Sequence, residues 1–184
     1  MAPEMLPFTE EDEANRLLAS NPFALMVGML LDQQFPMERA FFSPYLLAER
    51  LDGPLEPATV AALEESEIEE LFQGPPALHR FWGSMGRRTR SLAEAIVEDY
   101  DGDAAAVWRG AEDGADLYAR LRELPGFGEA KARIFVGVIG KRLGEGPEGW
   151  EEEAADWPSI ADVDSFDHVA VLREQKRAMK AKES

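Results

Sequence analysis

The sequence predicts an all-α fold, and three observations support this. Apolar residues recur at helical spacing along most of the chain, no alternating β-branched run is long enough for a strand, and Gly and Pro clusters separate the periodic stretches. Because 45% of the 184 residues are apolar, the chain can bury a core despite its 30% charged content. We expect one helical domain, 1–184, in two lobes: one around 22–110, the other 111–184 plus the N-terminal helix, with a helical hairpin at 114–143.

The first helices follow from local signals. Thr9 followed by Asp12 resembles a capping box and predicts a helix through about Ser20. Pro22, at a first-turn position, predicts a second helix through about Gln34. The helical pattern then continues over 36–51, with an interruption near Pro44, and over 57–72.

The later part of the chain repeats this pattern. Apolar spacing predicts helices at 87–100, 103–109, 114–123, 128–143 and 165–181. Residues 144–158 combine Gly and Pro with two tryptophans and a run of three glutamates, which predicts an acidic insertion loop.

Composition excludes several kinds of site. The chain has no cysteine, so it forms no disulfide, cysteine-ligated zinc site or iron–sulfur cluster. Its two histidines make a multi-histidine metal site implausible, and we expect no metal and no organic cofactor. The longest apolar run, 23–31, is too short to span a bilayer, and the N-terminus opens with no basic segment. We expect an intracellular, cytoplasmic protein, associated with the nucleoid if it binds DNA.

The formal net charge of −17 argues against a polyanionic partner at long range. Its distribution reverses that impression, because residues 1–75 and 145–167 hold most of the acids. Residues 76–144 carry 11 bases against 10 acids, and 168–184 carry 5 bases against 2 acids. The protein can therefore present one basic face.

The segment Leu124-Pro125-Gly126-Phe127-Gly128-Glu129-Ala130-Lys131-Ala132 lies between two amphipathic helices. Pro125 cannot continue a helix, Gly126 and Gly128 can take positive φ, and Phe127 can fill the seam between the helices. The backbone N–H groups at the start of the second helix can bind a phosphate, reinforced by Lys131. The alternative is an ordinary turn between two helices.

Three ordered segments together resemble the helix–hairpin–helix (HhH-GPD) DNA glycosylase superfamily, which includes endonuclease III. The hairpin 124–132 is similar to the phosphate-binding hairpin of that family. Residues 22–34 resemble its early helix, which ends in glutamine, and 86–92 with 99–102 resemble its basic turn and the loop after the next helix. The resemblance covers roughly 20–168 and implies a two-lobed helical DNA glycosylase of base excision repair, a monomer acting on double-stranded DNA with a damaged base.

The resemblance also implies roles for particular residues. Such proteins flip the target base out of the duplex, and Gln33 or Gln34 is the candidate to fill the gap. Breaking the N-glycosidic bond builds positive charge on the sugar, which a carboxylate stabilises; Asp164 is the best match and Asp162 the second. Either aspartate is alternatively a helix N-cap. Bifunctional relatives carry a lysine where this chain has Ala130, so we expect a monofunctional enzyme without strand cleavage.

Further residues are candidates for binding. The expected DNA contacts, besides the glutamines, are Gly126, Phe127, Gly128, Lys131, Arg87 and Arg88, and the expected pocket for the substrate base is lined by Tyr45, His79 and Trp82. The pocket residues are alternatively core. Two other functional classes stay open: a non-catalytic helix–hairpin–helix DNA-binding module, and an all-α adaptor that binds no nucleic acid.

Overall fold

A computed structural model of the chain describes residues 3–183, and its regular elements in that range are helical, which confirms the all-α prediction. In chain order they are α1 (Asp12–Ser20), α2 (Pro22–Leu31), α3 (Met37–Arg50), α4 (Pro57–Ala61), α5 (Glu65–Gln73), α6 (Trp82–Tyr100), α7 (Ala106–Arg109), α8 (Gly114–Arg122), α9 (Glu129–Gly137), a π-helical turn (Val138–Arg142), α10 (Trp150–Glu153), a 3-10 turn (Ile160–Asp162) and α11 (Asp167–Glu183). None of these helices is long and apolar enough to cross a membrane.

Helix α2 is the centre of the packing. Its residues from Phe23 to Leu31 are all buried, because nine consecutive small or apolar side chains leave no polar face. It contacts α1 and α3 on one side, and also α6 and α9. The buried apolar residues form one continuous core that includes both ends of the chain, from Leu6 to Leu172.

The start of α1 differs from the sequence prediction. The residue before the helix is Glu11, which makes no side-chain cap, and Thr9 instead hydrogen-bonds Asn15 Oδ1 through both its N–H and its hydroxyl. The capping box at Thr9 and Asp12 was therefore wrong. The polar pair is buried at the turn that precedes the helix.

Three other boundaries moved for physical reasons. Helix α3 runs through Pro44 without a break, and 57–72 divides into α4 and α5 because Glu64 and Glu67 form a capping box that starts a new helix. Helix α6 begins at Trp82, so Gly86 lies within it and packs against Phe72 where a Cβ would crowd the ring.

The segment 144–158 is not a freely solvated loop. The Trp150 ring covers the space where Gly140 and Gly146 lack side chains, Gly114 N–H donates to Glu148 O at 2.8 Å, and Ala155 N–H donates to Arg133 O at 3.0 Å. Residues 144–158 therefore pack against the α8–α9 hairpin.

Helix α11 lies against α3 by its first half. Val169 and Leu172 are buried, and Arg173 Nη2 forms an ion pair with Glu38 Oε1 at 2.5 Å. Lys176 Nζ lies 3.7 Å from Met37 Sδ. This contact brings the basic tail helix to the turn that joins α2 to α3.

Candidate nucleic-acid interface

The hairpin and the glutamine-bearing turn meet through Lys131. Its Nζ, in the first turn of α9, donates to Leu30 O at 2.8 Å and to Gln33 Oε1 at 3.3 Å. The partners are 101 and 98 positions away in sequence. One side chain thus joins two segments that the sequence singled out separately.

The hairpin turn has the geometry that its glycines and phenylalanine predict, with one exception. Gly126 has φ +85, and a Cβ there would overlap Leu30 Cδ1, so the turn packs directly on α2. Phe127 is buried and meets Phe135 edge to face, as expected for a side chain that fills the seam. Gly128 has an extended φ of −76 and does not use the left-handed region.

The first backbone N–H groups of α9 donate no hydrogen bond to a side-chain cap. Gly128 is the N-cap, and as it has no side chain, it makes no side-chain cap. A Cβ built on Gly128 would meet nothing within 4 Å, so the space in front of the helix is open. Free N–H groups at an open helix N-terminus can bind a phosphate oxygen, and phosphate binding at this position stays a prediction.

The two glutamines lie outside α2, in the turn that follows it. The helix ends at Leu31, Asp32 is its C-cap, and Gln34 takes a left-handed conformation with φ +54. Both glutamines are exposed. A non-glycine residue in that region costs about 1–3 kcal/mol and is typical of functional turns.

His79 holds this turn in place. It accepts a hydrogen bond from Phe81 N–H on Nδ1 at 2.9 Å, so Nε2 carries the proton and donates to Gln33 O at 3.0 Å. Burial lowers the pKa of His79, against the hydrogen bond to Gln33 O, which raises it. The neutral ring therefore links the glutamine turn to the start of α6 through two hydrogen bonds.

Phe81, at the start of α6, is a further aromatic residue that the sequence offered as a pocket candidate. The residue is 43% exposed, and its ring lies 5.9 Å from the His79 ring and is covered on one side by the Arg80 guanidinium. It stands beside a cleft of about 380 Å³ whose lining includes Gln34, Phe35, His79, Arg80 and Trp82.

Tyr45 lies apart from the other two predicted pocket residues. Its hydroxyl donates to Glu13 Oε2 at 2.7 Å, and its ring stacks on Phe42. The hydrogen bond to Glu13, followed by burial, raises the pKa of Tyr45 to about 12. Tyr45 lines a groove between α1 and α3, whereas His79 and Trp82 line the cleft beside Gln34.

Arg87 and Arg88, which are neighbours in α6, point in different directions. Arg87 Nη1 pairs with Glu69 Oε1 of α5 at 2.6 Å. Arg88, one residue and about 100° further around the helix, lies close enough to Lys131 and His79 to lower the pKa of both. Arg88 therefore faces the hairpin side, and Arg87 is occupied by a surface ion pair.

The acid at the end of α2 is unusual. The Asp32 carboxylate makes no hydrogen bond and no ion pair within 4.0 Å among the described residues, although the residue is half-buried. Burial raises its pKa; Lys176 and Lys131 oppose this, and Glu38 adds to it. Burial also lowers the pKa of Lys131 to about 8, while Asp32 raises it.

The two aspartates proposed for catalysis have different surroundings. Asp162 accepts from Lys141 Nζ at 2.8 Å and from Ser159 N–H at 3.0 Å, closing a capping box. Burial raises the pKa of Asp162, but Lys141 and the Ser159 N–H hold it below its usual range.

Asp164 has a far more open environment. Its side chain is 75% exposed and its described partner is His168 Nδ1 at 3.5 Å. It lines an open cleft of about 580 Å³ with the N-terminal segment and the start of α1, including Thr9, Glu10 and Asn15.

The site has no preformed metal centre. No group of three or more His, Asp or Glu residues within 3–183 is arranged to hold a metal ion.

No protein-family model matches the sequence, and no curated protein matches it. Among solved structures, the chain is similar to an endonuclease III trapped in a covalent intermediate with DNA, an estranged-adenine complex, at 20% identity and a TM-score of 0.46. The alignment covers 72% of this chain and 65% of that chain.

Proposed function

We propose that the protein is a monofunctional DNA glycosylase that hydrolyses the N-glycosidic bond of a damaged base flipped out of double-stranded DNA. The observation that carries this proposal is the pair of hydrogen bonds from Lys131 to Leu30 O and Gln33 Oε1. They fix an open helix N-terminus, which suits a phosphate, against an exposed glutamine turn, which suits the gap left by a flipped base.

The surrounding charges support DNA as the partner despite the net charge of −17. Arg88 of α6, Lys131 of α9 and Lys176 of α11 converge on the turn between α2 and α3, each from a different helix. Phosphate contacts from such cations supply affinity without sequence choice. Gln34 and the exposed Phe81 ring lie at the edge of the same surface, where we expect them to enter the base stack.

Bond cleavage needs stabilisation of the cation that develops on the sugar. We assign this to Asp164, whose carboxylate is exposed, with Asp162 as the second candidate. Water adds to the sugar carbon and the base leaves with the bonding electrons. Because Lys131 Nζ is already engaged by two acceptors and Ala130 precedes it, we propose no strand cleavage.

The test is base release from duplexes that contain deaminated, alkylated or oxidised bases, read out as strand breaks after hot alkali. Wild type should release at least one base, Asp164→Asn should abolish release while keeping DNA affinity, and Asp52→Asn, at an exposed site after α3, should match wild type. Omitting the alkali should leave the strand intact, and borohydride should trap no covalent adduct. A trapped adduct would overturn the monofunctional assignment.

The second candidate function is a non-catalytic DNA-binding module. The observation in its favour is that Asp162 is used as a cap, while Asp164 opens toward the N-terminal segment. Salt-sensitive duplex binding without release of any base from the panel would select this function. The absence of any salt-dependent DNA affinity would reject both candidates and favour a protein adaptor.

A further inference from the structure

From the placement of Asp32 between the hairpin and the tail helix, we infer that Asp32 is the acid that donates a proton to the departing base. The inference rests on the proposed function, and deepens it by naming a second carboxylate and its task. Asp32 directly precedes the exposed Gln33 and Gln34 and is itself half-buried. In the proposed complex, a base displaced by the glutamines would lie beside this carboxylate.

Three elements lie around Asp32. The turn between α2 and α3 carries it, α9 contributes Lys131, whose Nζ bonds Leu30 O only two residues earlier, and α11 contributes Lys176. Among the described residues, neither lysine forms an ion pair with the Asp32 carboxylate within 4.0 Å, although both act on its pKa. Glu38 of α3 is the remaining charged group that acts on Asp32.

The carboxylate itself is suited to donate a proton. Burial raises its pKa, it makes no hydrogen bond to a described residue, and the residue that carries it is half-buried. An acid that is used structurally has partners, as Asp162 does with Lys141 and Ser159. In a glycoside cleavage, the carboxyl group with the raised pKa is the proton donor and the one in a polar environment is the stabiliser.

The step balances as a hydrolysis. The bond between the sugar C1′ and the base nitrogen breaks, its electron pair stays with the base, and the Asp32 carboxyl proton moves to a ring nitrogen or oxygen of the base. Water adds to C1′, and the proton that it loses restores the acid through solvent. The products are the neutral base and an abasic sugar bearing a hydroxyl group.

Leaving-group chemistry gives the decisive test. A base that is neutral in DNA, such as uracil or hypoxanthine, leaves with difficulty unless it is protonated, whereas 7-methylguanine already carries a positive charge. Single-turnover release of each is compared for wild type and Asp32→Asn. We expect Asp32→Asn to slow release of the neutral bases by about 100-fold or more, and that of 7-methylguanine only a few-fold. A duplex with a stable abasic analogue checks that binding persists, and a thermal melt checks the fold.

A second pair of variants leaves Asp32 in place. Lys176→Met removes a charge that lowers the pKa of Asp32, so the alkaline decline of the release rate should move to higher pH. Lys180→Met, one turn further along α11 on an exposed position, removes the same charge away from Asp32 and should leave the decline where it is in wild type.

The outcomes separate this inference from the proposed function. If wild type releases no base, the proposed function fails and Asp32 has no reaction to serve. If wild type releases neutral bases, and Asp32→Asn slows the release of neutral and cationic bases equally, the role of Asp32 as proton donor is refuted. The proposed function then stands. Release confined to cationic bases, or an alkaline decline that persists in Asp32→Asn and so belongs to Lys131, also refutes that role.

Discussion

The buried amine of Lys131 should make the stability of the protein depend on pH in a direction opposite to that of a lysine in a surface ion pair. Its pKa is about 8 in the fold against an ordinary value of 10.5, with burial as the main cause. Between these values the unfolded chain binds more protons than the folded one, so the free energy of unfolding rises with pH over that window. Below pH 8 the fold bears the full cost of keeping the ammonium group away from water.

The size of this effect follows from the same two values. Their difference corresponds to about 3 kcal/mol at about 1.4 kcal/mol per pKa unit. Because the Lys131 side chain is partly exposed, solvent screening reduces the expected change to about 1–2 kcal/mol. Lys131→Met keeps the apolar stem and removes the titrating group, so the difference between wild type and variant isolates this contribution.

The assay is urea unfolding, followed by tryptophan fluorescence at half-unit steps from pH 7 to pH 10.5. The free energy of unfolding of wild type, minus that of Lys131→Met, should be constant up to about pH 8 and then rise by about 1–2 kcal/mol by pH 10.5. Tyrosine ionisation affects both proteins and cancels in the difference. Lys180→Met, which removes a lysine from an exposed position of α11, serves as the matched control.

A flat difference for Lys131→Met would show that the amine is solvated and titrates as it does in the unfolded chain. If the difference in free energy of unfolding instead falls with pH, the fold stabilises the charged form of Lys131. Lys131 and Asp32 would then interact as an ordinary ion pair. Either result would contradict the desolvation of Lys131 and Asp32 in the fold.

Three further perturbations test the interface and its frame. Arg88→Ala should lower the slope of log affinity against log salt concentration for duplex DNA by about 1, whereas Arg87→Ala, whose partner is Glu69, should change it little; titration at four salt concentrations compares them. Gly126 has φ +85 and lies against Leu30, so Gly126→Ala should lower the free energy of unfolding by about 1–3 kcal/mol, measured by thermal unfolding. Gly128→Ala should melt like wild type but bind duplex DNA more weakly, because its methyl group enters the space proposed for phosphate. Phe127→Ala should cost about 3–5 kcal/mol by chemical denaturation, and a loss below 1 kcal/mol would contradict its place in the core.

The sequence by itself determined the fold class and the local hairpin. Helical spacing identified the helices, and the Pro-Gly-Phe-Gly segment specified a turn in which Gly126 takes a positive φ and Phe127 is buried. These features depend on interactions between residues a few positions apart, which act in the same way whatever the more distant residues are. Where short-range signals competed, as at Thr9 and Asp12, a buried contact with Asn15 took precedence over the cap.

Only the tertiary structure decided which residues share the site. The sequence offered Arg87 and Arg88 as equals, and one step around α6 turned the first toward Glu69 and the second toward Lys131. It gave no reason to notice Asp32, because the groups that act on that carboxylate, Lys131 and Lys176, come from helices about 100 and 140 residues further along the chain. Desolvation is a property of what surrounds a group in space, so it appears only once α9 and α11 have packed beside the end of α2.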